Sequence, residues 1–395
     1  MNLAYFIAGQ CGVPALSYGM PGVAKTATLG DLTKKQGRLL YTLTGSTREP
    51  GDIGGYPALS EAMGKAFMEI VPPKYLIDAM DAEIGMNLFI DEVMACPPAV
   101  QSALLRVAQE RWVGDSPLPD TVHIYGACNP ASITPNGYPF EAPSSNRWYH
   151  HHWIFPREDW LVGMRAGGNF PLPDVPVLPD NWEENMMEMG SLVSQFHKRT
   201  GKFLMPEENE EGEPVLSAVE RSKAWPSPRS WHNATKCLAA AMSLDVDMDV
   251  NKQLVEGNVG VGASEAFFAF WDALDIPDSE KILTDVVKAR ADKREGIGDL
   301  IPELKTDQLI VFLGALNGNV GRDNSVDRWN AAQDIYEVAS ERSEETALSQ
   351  CGPLYREPIF PGDDVTISDG MAESVERVFG RALGEVGYGD RNDGA

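Results

Sequence analysis

The eight residues Gly19-Met20-Pro21-Gly22-Val23-Ala24-Lys25-Thr26 constrain this chain more than any other stretch. They follow a short apolar run, Pro14–Tyr18, that suits a buried strand, and Ala24–Leu32 can continue from them as a helix. A glycine-bearing loop at a strand-to-helix passage is a phosphate cradle. Gly19 and Gly22 let the backbone wrap round an anion with N–H groups turned inward, and the helix N-terminus adds partial positive charge. On this reading Gly19, Pro21, Gly22, Val23, Ala24, Lys25, Thr26 and Ala27 form the binding surface. Lys25 reaches the terminal phosphates and the Thr26 hydroxyl ligates Mg²⁺. Ala24 stands where the GxxxxGK[ST] spelling has its second glycine. Its methyl group is tolerated if φ there is helical, which is the expectation. A coincidental turn in a glycine-rich chain is the competing reading of the loop taken alone.

A second motif narrows the choice. Met86–Glu92 is an apolar run closing on two carboxylates. In a parallel sheet the C-terminal strand ends line the ligand crevice, so Asp91 faces the metal and Glu92 polarises an attacking water. The plain alternative is a strand that stops at a solvated acidic pair. Thr121–Cys128 is a third apolar run, and it ends at Asn129-Pro130. The neutral amide of Asn129 suits a lytic water or a γ-phosphate, although an Asx turn before proline also fits. Downstream, Asn146-Arg147-Trp148 closes a loop, and Ser227-Pro228-Arg229-Ser230 opens a helix with Ser227 as N-cap and Pro228 in its first turn. Each arginine alone reads as a surface residue; their order gives them meaning.

Taken in sequence, GMPGVAKT, NLFIDE, CPPAVQSALLRVAQERWV, GACNP, YPFEAPSSNRW and WPSPRSW resemble the successive motifs of the MoxR-type, helix-2-insert branch of the AAA+ ATPases, over about residues 14–240. The resemblance implies an α/β fold: a P-loop nucleotide-binding core with a parallel sheet, then an α-helical lid and a helical C-terminal region. It makes Lys25 and Thr26 Walker A, Asp91 and Glu92 Walker B, Asn129 sensor 1 and Arg229 sensor 2, the last acting on its own chain's nucleotide. Arg147 matches the family's Asp-Arg-Phe position, an arginine finger for the neighbouring subunit's site, with Asn146 and Trp148 in place of Asp and Phe. Alanine at the Ala24 position is a frequent variant in that family. The resemblance further implies ATP and Mg²⁺ as ligands, hydrolysis in a ring, hexameric in the family, and remodelling or assembly of a partner protein, commonly one with a von Willebrand factor A domain. Stabilising transferring charge is most of what a protein can do for phosphoryl transfer, so a finger supplied in trans explains assembly, and head-to-tail contacts close into rings.

Composition sets limits. The chain has 395 residues, enough for two or three domains, and a formal net charge of −25, which argues against a general DNA-binding surface. Cysteines at 11, 96, 128, 237 and 351 form no CxxC pair, so neither a zinc site nor a disulfide framework is indicated; Cys96 and Cys128 read as small core residues. No apolar run reaches the roughly 18 residues of a membrane span, and Met1–Gln10 lacks a basic leader, so a cytoplasmic protein is expected. His150-His151-His152 invites a metal reading, but consecutive strand residues point to alternating faces and do not converge on one ion.

Organisation follows. Residues 1–175 are expected to form the nucleotide core, 176–345 a helical lid and extension, and 346–395 a tail that is loosely packed before one last helix. The chain opens almost directly on the nucleotide fold, so no N-terminal substrate domain is expected. Leu39–Ser46 reads as a second strand and Trp148–Phe155 as the last core strand. After a turn-rich stretch at 49–57, segments around Ala58–Leu59 and Ala66–Ile70 flank Ala62-Met63-Gly64 as a hairpin. In the resembled family that hairpin points to the ring's pore, so Leu59 to Phe67 are candidate client contacts; a surface hairpin without a role is the alternative. Val113–Asp120 resembles the family's other hairpin. Pro97-Pro98 starts a helix whose Val100, Ala103, Leu104 and Val107 recur at helical spacing, with Gln101, Arg106 and Gln109 on other faces. The prolines of Pro171–Pro179 and the acidic Glu207–Glu213 bracket a helix over 182–199. Further helices fit 228–243, 263–274, 279–291, 307–316, 326–342 and 370–383. Two other functions compete: a nucleic-acid translocase, for which Lys65 is the only basic residue between Tyr56 and Phe67, and a nucleotide-gated scaffold with weak hydrolysis.

Overall fold

A computed structural model of the chain describes residues 2–62, 65–130, 142–208, 215, 222–294, 296–356 and 359–361. Its centre is a five-stranded, wholly parallel sheet built from β1 (Ala15–Tyr18), β2 (Leu39–Thr44), β5 (Met86–Asp91), β8 (Val122–Cys128) and β9 (Tyr149–His152), in the order β2-β5-β8-β1-β9. Parallel strands covered on both faces read as continuous apolar runs, and β5 and β8 are buried along nearly their whole length. The register aligns the ends that matter: Tyr18 pairs with Cys128, Thr44 with Asp91 and Ile90 with Gly126.

Helix α1 (Leu3–Gln10) was not anticipated, because a helix apolar on all sides shows no periodicity and must be buried. Gly9 makes this possible: a Cβ there would lie 2.2 Å from the ring of Tyr125. After β1 comes α2 (Lys25–Lys35). The turn-rich stretch at 49–57 holds a short helix, α3 (Pro50–Gly54), started by a reciprocal capping box between Glu49 and Asp52. The hairpin follows as β3 (Tyr56–Ala62) and β4 (Lys65–Val71), antiparallel, with Leu59 opposite Met68; Met63 and Gly64 lie outside the described residues. Helix α4 (Lys74–Met80) leads into β5, and α5 (Pro98–Leu105) passes into a π-helical turn at Arg106–Glu110. Val100, Leu104 and Val107 join Leu88, Ile90 and Val93 in one core, whereas Gln101, expected on an outer face, is buried and donates to the Cys96 carbonyl (3.2 Å). β6 (Trp112–Val113) and β7 (Ser116–Pro117) form the small second hairpin. Residues 131–141, which include Tyr138–Glu141 of the YPFEAPSSNRW stretch, lie outside the described residues. α6 (Ala142–Ser145) and β9 come next, then α7 (Arg157–Arg165), α8 (Met186–Thr200), α9 (Pro228–Ser243), α10 (Met248–Val259), α11 (Val261–Asp272), α12 (Ser279–Ala291), α13 (Thr306–Arg322) and α14 (Val326–Cys351).

The chain divides into two compact units. One contains the residues up to Pro179 together with Lys202–Ala266, so α9 and α10 are compact with the sheet. The other contains Asp180–Gly201 and the described residues from Phe267 onward. In the second unit α8 and α13 pack closely enough that a Cβ on Gly314 would meet Ser191 Oγ at 2.1 Å. Helix α14 is bent at Ser343 (φ −157°, ψ 85°) and continues to Cys351. The Pro361-Gly-Asp-Asp stretch, on which loose packing was expected, lies almost wholly outside the described residues. Leu348, Cys351, Leu354 and Ile359 are buried beside Trp329, whose indole donates to the Leu354 carbonyl (2.8 Å), so burying apolar side chains outweighs the turn propensity of Gly352-Pro353. Most of the acidic 207–213 loop and all of the helix expected at 370–383 lie outside the described residues.

Candidate functional site

The glycine-bearing loop leaves β1 at its C-terminal end, and its first amide, Gly19 N–H, donates to the Cys128 carbonyl at the end of β8 (3.2 Å). That bond brings Asn129 beside the loop. Gly22 adopts φ +80° with open space where a Cβ would be. Ala24 corrects the expectation stated for it: φ is 63° and ψ 22°, left-handed and not helical. The second glycine of the usual spelling thus belongs to a backbone geometry that this chain adopts with alanine, at a cost of about 1–2 kcal/mol. Ala24→Gly is accordingly expected to stabilise the protein by about 1 kcal/mol. Thermal unfolding should show a rise of about 2 °C; a fall would contradict the positive φ.

Lys25 opens α2 and turns its ammonium back over the loop, donating to the Gly19 carbonyl (2.6 Å), the Met20 carbonyl (3.1 Å) and Asn129 Oδ1 (3.4 Å). Burial lowers its pKa, opposed by the neighbouring Cys128 and Asp91. One residue on, Thr26 Oγ1 donates to Asp91 Oδ2 (3.2 Å), while Asp91 Oδ1 accepts from the Glu92 amide (2.9 Å). Pro21 and Ala27 lie exposed along the loop and the first turn of α2, with Val23 half-buried between them. Glu92 is itself left-handed, φ 58°. Such strain in a non-glycine residue persists only where the surroundings enforce it. The Glu92 amide is held by Asp91 Oδ1 and its carbonyl by the Ala95 amide (2.8 Å), while the Ser46 hydroxyl donates to Glu92 Oε2. The sequence did not single out Ser46, although its place just past β2, the strand beside β5, was a usable signal.

Lys25, Thr26, Asp91, Glu92 and Asn129 therefore gather at the C-terminal edge of the sheet. The donor set fits a nucleotide with Mg²⁺. One carboxylate and one hydroxyl are hard oxygen ligands that leave positions for phosphate and water, the Gly22 curve is open, and no cluster of three or more metal-ligating side chains competes among the described residues.

Arg147 and Arg229 are not in this group. Arg147 precedes β9, whose Tyr149 pairs with Ala15 at the start of β1, so Arg147 lies at the N-terminal edge, with the length of β1, about 10 Å, between that edge and its own loop. Asn146 is buried and fixes this corner: its Oδ1 accepts from Ser227 Oγ (2.7 Å), and its Nδ2 donates to the Trp225 carbonyl (2.9 Å). Ser227 in turn caps α9, accepting from the Ser230 amide (3.1 Å). That chain of bonds sets Arg229, in the first turn of α9, near Arg147. Arg229 has its pKa lowered by burial and then by the Arg147 charge, and neither arginine forms an ion pair among the described residues. Arg229, expected to serve its own chain's nucleotide, keeps company with Arg147. Trp148, at the family's phenylalanine position, is buried over Gly126.

His150 and His151 take separate hydrogen-bond partners. The Ser145 carbonyl can only accept, so His150 Nε2 carries hydrogen toward it (2.7 Å) and Nδ1 accepts from the Tyr18 hydroxyl (2.8 Å). His151 bonds Asn2 Oδ1 (3.0 Å) and the Tyr149 hydroxyl (3.3 Å). All five cysteines are free and buried.

No protein-family model matches the chain, and no curated protein does. Among solved structures it is similar to a candidate ATPase from Cytophaga hutchinsonii, with 18% identity over 70% of this chain and 89% of that one and a TM-score of 0.43. It is also similar to a full-length MCM homolog from Methanopyrus kandleri, with 14% identity over 67% of this chain and 54% of that one and a TM-score of 0.33. The functional reading rests on the chain's own residues. No helix among the described residues is long and apolar enough to cross a membrane.

Proposed function

We propose that this chain is a MoxR-like AAA+ ATPase that hydrolyses ATP in a ring and uses the cycle to remodel or assemble a partner protein. The observation that carries the proposal is the convergence of Lys25 with Asn129 and of Thr26 with Asp91 at one sheet edge. In this reading the loop amides and Lys25 bind the phosphate chain, and Asn129 orients the terminal phosphate. Glu92 accepts the proton of the attacking water, once its carboxylate is released from Ser46. Mg²⁺ would be held by Thr26 and Asp91 and would neutralise charge on the phosphates. The two arginines supply positive charge to a neighbouring subunit's site.

The hairpin supports the choice of a protein client. Leu59 and Met68, opposite each other, are 74% and 62% exposed, and Tyr56, Phe67 and Val71 are also open to solvent. A hairpin with these exposed apolar side chains and Lys65 as its one basic residue suits a polypeptide better than a phosphate backbone. A partner with a von Willebrand factor A domain fits the resemblance.

The test is nucleotide binding and steady-state turnover of two variants. Lys25→Ala should weaken ATP binding by about 100-fold, having removed a charged donor to the phosphates. Glu92→Gln should bind ATP as the wild type does and lose about 100-fold in hydrolysis, the usual scale for a general base. Equal ATP affinity in Lys25→Ala and wild type would end the proposal.

A further inference from the structure

The loop has a support that belongs to neither of its flanking elements. Trp153, the residue after β9, donates its indole N–H to the Val23 carbonyl (3.1 Å), and its backbone N–H donates to the Tyr18 carbonyl (2.8 Å). It also lies so close to Gly19 that a Cβ there would sit 3.0 Å from the Trp153 Cβ. One residue thus touches the loop at its entry and again just before its helix. The indole is not free to turn away. It is 8% exposed and packs edge-on against Tyr5 and Phe6 of α1, with ring centroids 5.8 and 6.4 Å away.

A trans peptide is planar, with its C=O and N–H on opposite sides. Fixing the Val23 carbonyl against the indole therefore turns the Ala24 N–H away from the indole, and the neighbouring Gly22 has open space where a Cβ would be. The same bond holds the peptide that leads into the left-handed Ala24, a conformation an alanine does not keep unaided.

We propose that Trp153 is a positioning residue for phosphate binding: through its indole N–H it orients the Val23–Ala24 peptide so that the Ala24 amide faces the phosphates. This rests on the nucleotide reading of the loop. The residue acts through the backbone and touches no reacting atom. The expected signature is a loss confined to the phosphate chain, with the fold intact.

The experiment compares full-length wild type with Trp153→Phe, which keeps an aromatic ring and lacks the N–H. Calorimetric titration with ATP, and separately with inorganic tripolyphosphate, should show about tenfold weaker binding of both, the scale of one hydrogen bond to a charged group. The apo unfolding temperature should stay within about 2 °C of wild type. Unchanged affinity for both ligands overturns the proposal, as does a loss of affinity matched by a large fall in unfolding temperature. If Trp153→Phe does not fold, benzothienylalanine placed at position 153 keeps the ring shape with sulfur in place of the N–H. The same tenfold loss then supports the proposal and unchanged affinity overturns it. Failure of the wild type to bind ATP would instead overturn the nucleotide reading, and this inference with it.

Discussion

Arg147→Ala is expected to lower ATP turnover by about 10³-fold or more, the range for an arginine that stabilises a transferring phosphoryl group, while isolated subunits bind ATP as before. The reason is positional. Arg147 precedes β9 and stands at the sheet edge opposite its own loop, and under the proposal it serves a neighbouring chain's phosphates. Turnover per subunit should rise with protein concentration as assemblies form. Arg229→Ala should behave in the same way, because the Asn146–Ser227 bond places both guanidinium groups at one corner. Complementation is the decisive measurement. Arg147→Ala mixed with Glu92→Gln creates interfaces at which an intact arginine faces an intact Glu92, and activity should return although each protein alone is inactive. A mixture that co-assembles and stays inactive, or an Arg147→Ala protein with normal turnover, would place the catalytic cation elsewhere.

Stability is expected to fall steeply as pH drops from about 6.5 toward 4. Burial holds His150 down to about 4, against a smaller opposing effect of its bond to Ser145. Burial likewise holds His151 to about 3, with His152 adding to the effect. His123 is also held to about 3, by burial first and then by Arg38 and Arg111. The sign follows from which state binds protons. Folded pKa values below the ordinary 6.5 mean that the unfolded chain protonates first, so the stabilisation is complete above pH 6.5 and lost as pH falls toward the folded values. Each histidine contributes about 1.4 kcal/mol per pH unit in that window, so the three together give a slope of about 4 kcal/mol per unit. Denaturant unfolding at a series of pH values should show a plateau above pH 7 and this descent below 6. His123→Gln should reduce the slope by about a third. A flat profile between pH 7 and 5 would mean that these imidazoles are not held neutral. Glu188, whose pKa burial raises against the opposing charge of Arg322, titrates earlier than an ordinary carboxylate and offsets part of this slope.

Much of the candidate site was legible because its residues sit at the ends of apolar runs. β1, β5 and β8 end where Tyr18, Asp91 and Cys128 mark the change from apolar to polar, and their order in a parallel sheet follows from chemistry written at those ends. Helices 228–243 and 279–291 match their expected bounds to the residue; the first was read from its Ser-Pro cap, and the second is capped by Asp278, which accepts from the Lys281 amide and was not used as a signal. What escaped was fixed by contacts distant in sequence. Ala24 is left-handed because neighbours hold the loop, and no residue next to it reports that. The pairing of Arg147 with Arg229 passes through Asn146 and Ser227, 81 positions apart. Yet half of that answer was available: a residue just before a strand parallel to β1 must lie at the edge away from the loop after β1. Helix α1 was hidden by its uniform hydrophobicity, and the continuation of α14 past Ser343 by a bend that does not end the helix.

Setting the phosphate loop and the arginine pair at opposite edges of one sheet gives each subunit a direction. In the proposed ring every chain would carry the acceptor half of one reaction centre and the donor half of another, so complete centres would number one per junction and not one per chain. An open arc of n subunits would have n − 1 working centres and one idle cradle at its end, and closure would switch on the last. A single inactivated subunit in a closed assembly silences one junction through its loop or a different one through its arginines, depending on which edge is damaged. Client engagement at the hairpin could thus register as a change in how many junctions are shut, with no change in the chemistry at any of them.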